Sequence, residues 1–434
     1  MTDFVMDSCS VNEKGHLTLQ GLDTVELAKE YGTPLMLMDE NKIRSICRLY
    51  KSSMAESFGQ DSVPLFASKA LSFKGIYRIM AEEGLGCDAV SPGELHTINA
   101  SGFDMGKVVF HGNNKTDEDI RYALELGVGR FVVDNTEELE AVNRIASELG
   151  KRQKVLLRIT PGIDPHTHKA VATGRVDSKF GSAIATGMAE SITRAALECK
   201  GVELTGFHCH IGSQIFEIQP FVDAASIMME YISDIKSKTG FIASELNLGG
   251  GFGVRYVKEH PHFDYAGAIA ELACAMKKIA EGHGIPLPAV MMEPGRSIVA
   301  AAGLTLYTVG SVKEIPDMKN YVSIDGGMTD NPRYALYQSQ YEAVVANRAA
   351  EKAEYVCSIA GRCCESGDLI AENIRLRKPV KGDILAVLVT GAYNYSMASN
   401  YNRIPRPPIV MIKDGKPYVA VRRESFEDLV RNDM

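Results

Sequence analysis

Eight short apolar runs constrain this chain more than any other feature. Pro64–Ala67, Leu85–Val90, Lys107–Phe110, Arg130–Val133, Lys154–Ile159, Val202–His208, Glu245–Leu248 and Ala289–Met292 read as strands, and most are separated by segments of helical period. In Thr136–Leu149, for example, Leu139, Val142, Ile145, Ala146 and Leu149 fall on one helical face. Eight strands with helices between them is the number that closes a (β/α)8 barrel. The early runs begin every 20 to 25 residues, as a βα unit requires. The exception is an insertion after the fifth run, Thr160–Ala183, whose His166, His168 and Lys179 make it a candidate lid.

The tail has another character. Leu304–Ile315, Tyr321–Ile324, Tyr355–Ala360 and Ile384–Thr390 are strand-like and lack long helical partners. Val410–Ile412 and Tyr418–Val421 flank Asp414-Gly415, a dipeptide that favours a tight hairpin. Ser425–Asn432 reads as a final helix with Asp428 three residues after a capping Ser425. The N-terminal segment holds one strand candidate, His16–Gln20, too little to fold alone. The expected organisation is residues 1–38 joining a C-terminal β domain, 39–300 forming the barrel, and 301–434 forming the β domain with substrate and interface residues.

Charge and cysteine usage narrow the partners and the compartment. Lys plus Arg number 47 against 55 Asp plus Glu, a net charge of −8, which argues against nucleic acid or an anionic membrane as partner. No apolar run reaches the roughly 18 residues a bilayer span needs. MTDFVMDSCS has no basic segment leading into an apolar stretch, so no secretory signal is expected. Nine Cys without a CxxC pair suit reduced thiols in the cytoplasm, and adjacent Cys363 and Cys364 would strain a mutual bridge.

In a barrel the chemistry sits where the strands end. Those ends are Ser68-Lys69, Asp88, His111-Gly112-Asn113-Asn114, Asp134, Arg158, His208-Cys209-His210, Gly249-Gly250-Gly251 and Glu293-Pro294-Gly295-Arg296. Eight polar or glycine-rich endings at one mouth are hard to explain as solvated loop ends. Gly249, Gly250, Gly251 and Gly253 miss the GxGxxG register, and no GxxxxGK[ST] follows a strand, so neither nucleotide motif is present. What remains is a turn whose backbone N–H groups can approach an anion, with Arg296 nearby, suited to a phosphate monoester. Lys69 lies one step past a buried apolar strand, where desolvation would favour the neutral amine that forms a Schiff base. A carboxylate such as Glu293 beside a pyridine nitrogen would keep that nitrogen protonated. Together these make a plausible pyridoxal phosphate site. A zinc amidohydrolase is the rival from another class, because His208-x-His210 ends a barrel strand; in that class the pair ends the first strand, whereas here it ends the sixth, and His166, His168, His260 and His262 read as loop residues.

FASKA, HCHIGSQ, LNLGGGFG, MEPGRSIV, DGGMTDNPRYALY, GRCCESGD and TGAYNYSMASNYN resemble, in type and order, the diaminopimelate decarboxylases. These belong to the barrel-plus-β-domain pyridoxal phosphate decarboxylases, with the ornithine and arginine decarboxylases. The likeness runs from about Pro34 to the C-terminus; Phe66 stands where the family usually has Tyr, keeping the aromatic ring. It implies that Lys69 holds the cofactor covalently, with Asp88 near that lysine and Arg158 near the cofactor's phenolic oxygen. It implies that His210 stacks on the ring, while Ser213, Gly250, Gly251 and the loop Glu293-Pro294-Gly295-Arg296 serve the phosphate, with Glu293 at the pyridine nitrogen and Tyr393 closing the site. Arg296, Arg333, Tyr337 and Tyr393 are implied to hold the far end of the substrate, and Glu365 its amino group. Cys364, from the neighbouring subunit, is implied to protonate the carbanion after CO2 leaves, which makes Lys69, His210 and Cys364 the catalytic set of a homodimer with shared sites. The implied reaction converts meso-2,6-diaminopimelate, at its D-centre, to L-lysine, the last step of lysine biosynthesis. A second carboxylate calls for an arginine fork, which ornithine or lysine would leave facing no anion. Ornithine, arginine or D-amino-acid decarboxylation is the alternative within the class.

Overall fold

The computed structural model describes residues 4–163 and 178–434. The chain divides into two compact units. One comprises the chain up to Ser45, Val254–His262 and Arg296–Met434; the other comprises Ile46–Gly253 and Phe263–Gly295. These units break at 45/46 and 295/296, where the sequence suggests 38/39 and 300/301, and the excursion at 254–262 has no counterpart in the division read from the sequence.

All eight expected barrel strands are present. Val63–Ala67, Gly86–Ala89, Val108–Phe110, Arg130–Val133, Gln153–Thr160, Val202–His208, Glu245–Asn247 and Ala289–Met292 pair in parallel. Met291 opposite Val63 and Met292 opposite Pro64 close the ring. Leu65, Val109, Val132, Leu156 and Met291, from five different strands, form a buried cluster. The helices form as their patterns predict. Thr136–Glu148 starts where the Asn135 side chain accepts the Glu138 N–H at 2.9 Å, and it buries Leu139, Val142, Ile145 and Ala146. At the strand-starting end, Arg130 reaches across to Glu245 with two hydrogen bonds of 2.8 and 2.5 Å. A Cβ on Gly206 would lie 1.8 Å from the Glu245 carbonyl, so a glycine is required at this close strand approach. Of the insertion after the fifth strand, His166 and His168 lie outside the described residues, as does most of the candidate lid; Lys179 is exposed.

The other unit is built on a sheet. Gly303–Ile315 pairs antiparallel with Lys319–Ile324, with Ile384–Leu388 and with Leu35–Asp39. Leu35–Asp39, buried at every residue, pairs on its other side in parallel with Ile409–Lys413, so a strand from the N-terminal segment is internal to a sheet made otherwise of C-terminal strands. The hairpin of Ile409–Lys413 and Lys416–Val421 turns at Asp414 (φ 50°) and Gly415 (φ 69°), as the dipeptide predicts. The last helix, Phe426–Val430, is shorter than expected and opens on a full capping box of Ser425 and Asp428. Leu17–Leu19 forms within the expected His16–Gln20. Other strands escaped the sequence reading. Cys9–Val11 and Leu22–Asp23 pair on either side of Leu17–Leu19 and are too short to show a period. Leu369–Leu376 interrupts its alternation at Asn373 (φ 53°), where its pairing with Tyr355–Ala360 is irregular nearby.

Candidate active site

The barrel mouth is organised around one carboxylate. The last strand delivers Glu293, whose Oε1 accepts from Asn247 Nδ2 at 2.7 Å and lies 2.9 Å from His111 Nε2 and 3.3 Å from His208 Nε2. Oε2 is less engaged, with His208 Nε2 at 3.5 Å. These partners come from the ends of the third, sixth and seventh strands, and all are buried. Burial alone would raise the Glu293 carboxyl, but His111 and then His208 outweigh it and hold it well below the usual carboxylate range. Burial pushes His208 down to about 4, so near neutral pH its Nε2–H serves as a neutral donor. Asp88, at the second strand end, moves the other way: burial and then the Glu293 charge raise it, opposed by Lys69. Two carboxylates driven apart in this way mark a site where one is kept ionised.

Lys69 follows the first strand on the single turn Ser68–Ala70. The residue is exposed, against the buried setting expected from the apolar strand before it, and its charge acts on Asp88 and Glu94. Ser68 Oγ donates to the Asp88 carbonyl, and Ala67 N–H donates to the Pro294 carbonyl at 3.2 Å. A Cβ on Gly295 would stand 2.7 Å from Ala67 Cβ and 3.0 Å from Ala70 Cβ, so the Glu293–Gly295 loop lies directly against the turn that carries Lys69.

The glycine run packs as closely. A Cβ at Gly250 would meet the Glu293 carbonyl at 2.1 Å, and one at Gly251 the Gly212 carbonyl at 2.2 Å. Ile215 N–H donates to the Gly251 carbonyl at 3.0 Å, which sets the Ser213 loop beside the glycine turn. Gly249 lies against His210, where a Cβ would be 2.7 Å from Nδ1. Burial, then the Lys69 and Arg158 charges, hold the His210 imidazole neutral. Arg158 stacks 4.3 Å from the Phe180 ring and stands 4.0 Å from Asp134. Lys69, Asp88, Arg158, His210, Ser213, Gly250, Gly251, Glu293, Pro294 and Gly295 therefore all belong to the barrel unit.

The remaining expected residues belong to the sheet unit. Arg296 Nη1 donates to Tyr256 Oη at 2.8 Å, and its guanidinium lies 4.7 Å from the Tyr393 ring. Arg333 stands 5.5 Å from the rings of both Tyr337 and Tyr393 and 5.8 Å from Tyr256. Arg333 is buried, its Nη2 donates to Ser339 Oγ at 3.2 Å, and among the described residues its Nε has no hydrogen-bond partner and no carboxylate pairs with it. Tyr393 itself has φ 61°, an uncommon conformation for a residue with a Cβ. Cys364 and Glu365 sit on an exposed loop, and among the described residues no hydrogen bond or ion pair joins either side chain to Arg333.

A family model for the pyridoxal-dependent decarboxylases, pyridoxal binding domain, matches residues 40–300. Diaminopimelate decarboxylase of Halalkalibacterium halodurans is 46% identical over 99% of this chain and 98% of its own length; that of Bacillus subtilis is 44% identical over 99% and 98%. The chain belongs to the diaminopimelate decarboxylase family. Among solved structures, diaminopimelate decarboxylase from M. jannaschii in complex with L-lysine superposes with a TM-score of 0.90 at 34% identity, covering 100% of this chain and 99% of that one. The Helicobacter pylori enzyme, also with L-lysine, gives 0.85 at 30% identity over 94% and 98%.

The donor set fits pyridoxal phosphate on this structure's own terms. An ionised, buried Glu293 suits a protonated pyridine nitrogen, a turn without side chains suits a phosphate, and an exposed amine at Lys69 suits an aldehyde. Family membership also bears on the metal alternative. Among the described residues, the three donors that come within 4.8 Å of one another are His111, His208 and Glu293 rather than the His208-x-His210 pair, and the two histidines hold the Glu293 carboxyl well below the usual carboxylate range. His111 reads from the sequence only as a strand end, His208 as half of the His208-x-His210 pair and Asn247 as part of LNLGGGFG, while Tyr256 carries no sequence signal beyond its residue type.

Proposed function

We propose that the chain removes the carboxyl group at the D-centre of meso-2,6-diaminopimelate to give L-lysine and CO2, with pyridoxal 5′-phosphate as cofactor. Relatives named for this activity at 46% and 44% identity, and solved relatives that hold L-lysine, support the reading. The observation that carries the substrate is Arg333: a buried guanidinium with an unpartnered Nε and no carboxylate beside it among the described residues calls for an anion from the ligand. Ornithine and lysine have no second carboxylate to offer.

Electron uptake through a pyridinium ring is the chemistry the cofactor supplies when bound. Lys69 anchors it through its amine. Glu293, braced by Asn247, His111 and His208, holds the proton at the ring nitrogen. His210 is the neutral aromatic partner of the ring, and Asp88 and Arg158 set the charge around it. Ser213, Gly250, Gly251, Pro294, Gly295 and Arg296 serve the phosphate, with Tyr393. Arg296, Arg333, Tyr337 and Tyr393 orient the substrate by its far carboxylate, and Glu365 takes its distal ammonium. Cys364 Sγ–H delivers a proton to the α-carbon after CO2 departs. The exposure of Cys364 and Glu365 supports their acting in a partner subunit's site within a homodimer. Nine cysteines, all free, support a reducing cytoplasmic setting; among the described residues no helix is long and apolar enough to cross a membrane.

The test is CO2 release from meso- and LL-diaminopimelate, lysine, ornithine and arginine. Turnover dominated by the meso isomer is expected; dominant ornithine turnover would overturn the substrate. Mixing inactive Lys69→Ala chains with Cys364→Ala chains of strongly reduced turnover should raise the activity above that of either alone, and no gain would remove the shared-site dimer.

A further inference from the structure

Two functional loops of the sheet unit leave neighbouring strands side by side. Lys319–Ile324 and Tyr355–Ala360 pair in parallel, with Tyr321 opposite Ser358 and Ser323 opposite Ala360. The segments that follow, 325–332 and 361–368, therefore start from the same edge, and Arg362 N–H donates to the Gly326 carbonyl at 3.0 Å. The first loop leads into Arg333, whose N–H reaches Asn331 Oδ1 at 3.4 Å. The second carries Cys364 and Glu365.

The second loop ends on Asp368, 2% exposed, whose carboxylate accepts from both loops. Its Oδ1 accepts from Met328 N–H at 2.6 Å and its Oδ2 from Cys363 N–H at 2.7 Å. One glycine from each loop faces it. A Cβ at Gly361 would stand 2.2 Å from either oxygen, and one at Gly327 would stand 2.5 Å from Oδ1. Among the described residues no cation pairs with this carboxylate, so backbone N–H groups are its main compensation for burial. That is a costly way to tie two turns together. The tie is made at Met328, on the loop that leads into Arg333, and at Cys363, next to Cys364.

We propose that Asp368 is a positioning residue for the decarboxylation: by accepting one N–H from the Arg333 loop and one from the Cys364 loop, it holds in each chain both the loop that orients substrate in that chain's own site and the loop that delivers the proton in the partner's site. The inference rests on the roles proposed above for Arg333 and Cys364. It accounts for the glycines at 327 and 361 by the space their Cβ atoms would take from one carboxylate.

The test is Asp368→Asn in the cofactor-loaded enzyme, where the amide must turn a donor toward one of two N–H donors. The expected result is a kcat lowered roughly ten- to hundred-fold and a raised KM for diaminopimelate, the size set by losing a charge-assisted hydrogen bond. Visible absorption of the bound cofactor should stay as in the parent. In a Cys364→Ala background the same substitution should lower kcat little further, because the loop it positions has already lost its donor. Parental kcat and KM in Asp368→Asn, or the full loss repeated in the Cys364→Ala background, would overturn the inference. If Asp368→Asn does not yield loaded protein, Gly361→Ala displaces the same carboxylate and carries the same expectations. A parent enzyme that releases no CO2 from diaminopimelate would instead strike at the functional reading itself.

Discussion

Asp330 offers a pH test of how the sheet unit is held together. Its carboxyl is buried, accepts from Tyr307 Oη, and accepts from Gly327 N–H at 3.0 Å. Burial, reinforced by Asp325 and Asp368 and only partly offset by these hydrogen bonds, pushes it up to about 7 from an ordinary 3.8. Between those values the unfolded chain has released the proton while the folded chain keeps it. Stability therefore falls as pH rises through this window, by about 1.4 kcal/mol per pH unit for one proton, or roughly 2–3 kcal/mol between pH 5 and 7. Asn cannot titrate, and its amide must set a donor against Tyr307 or Gly327, which costs about 1–3 kcal/mol at all pH values. Asp330→Asn should thus be less stable than the parent at pH 5, with the gap closing by pH 7. The assay is denaturant unfolding at both pH values, with hydrogen exchange at the Gly327 amide as a local readout. Because Glu94 is also raised to about 7, the quantity to read is the difference between the two proteins' pH profiles. Parallel profiles, with a constant gap from pH 5 to 7, would refute the reasoning.

Other substitutions probe other parts of the chain. Arg130→Ala leaves Glu245 partly buried without its bidentate partner and should cost about 2–4 kcal/mol, read as a lower unfolding midpoint with little change in kcat. Glu293→Gln removes the ionised carboxylate and should lower kcat at least about a hundredfold while the protein still binds cofactor; retained kcat would remove Glu293 from the mechanism. Gly250→Ala places a methyl 2.1 Å from the Glu293 carbonyl and should weaken cofactor binding, measured by titration of the apoprotein. Arg333→Ala should lose about a thousandfold in kcat/KM on diaminopimelate, the scale of two charge-assisted hydrogen bonds, with the visible spectrum unchanged.

The barrel was legible because its information is local. Each strand announces itself by an apolar run and each helix by a 3.6-residue period, and the polar residue that ends a strand must face the mouth. That logic pointed to Lys69, Asp88, Arg158, His210, the glycine turn and Glu293, and the structure has each of them at or near the end of a barrel strand. It went wrong on the setting of Lys69, because exposure depends on what surrounds a residue in space rather than on the apolar strand that precedes it. The sheet unit was read less completely. Leu35–Asp39 looks like any short apolar run, and its internal place beside Gly303–Ile315 and Ile409–Lys413 depends on pairing across more than 250 residues of chain.

Residue order alone therefore determined the alternation of strands and helices, the candidate anchor at Lys69, the glycine turn and the motif sequence that the family shares. Only the tertiary structure decided which groups brace Glu293, which tyrosines surround Arg296 and Arg333, and that Asp368 accepts from two loops. Those arrangements join residues far apart in the chain, and a hydrogen bond depends on distance and direction in space, which no spacing along a sequence contains.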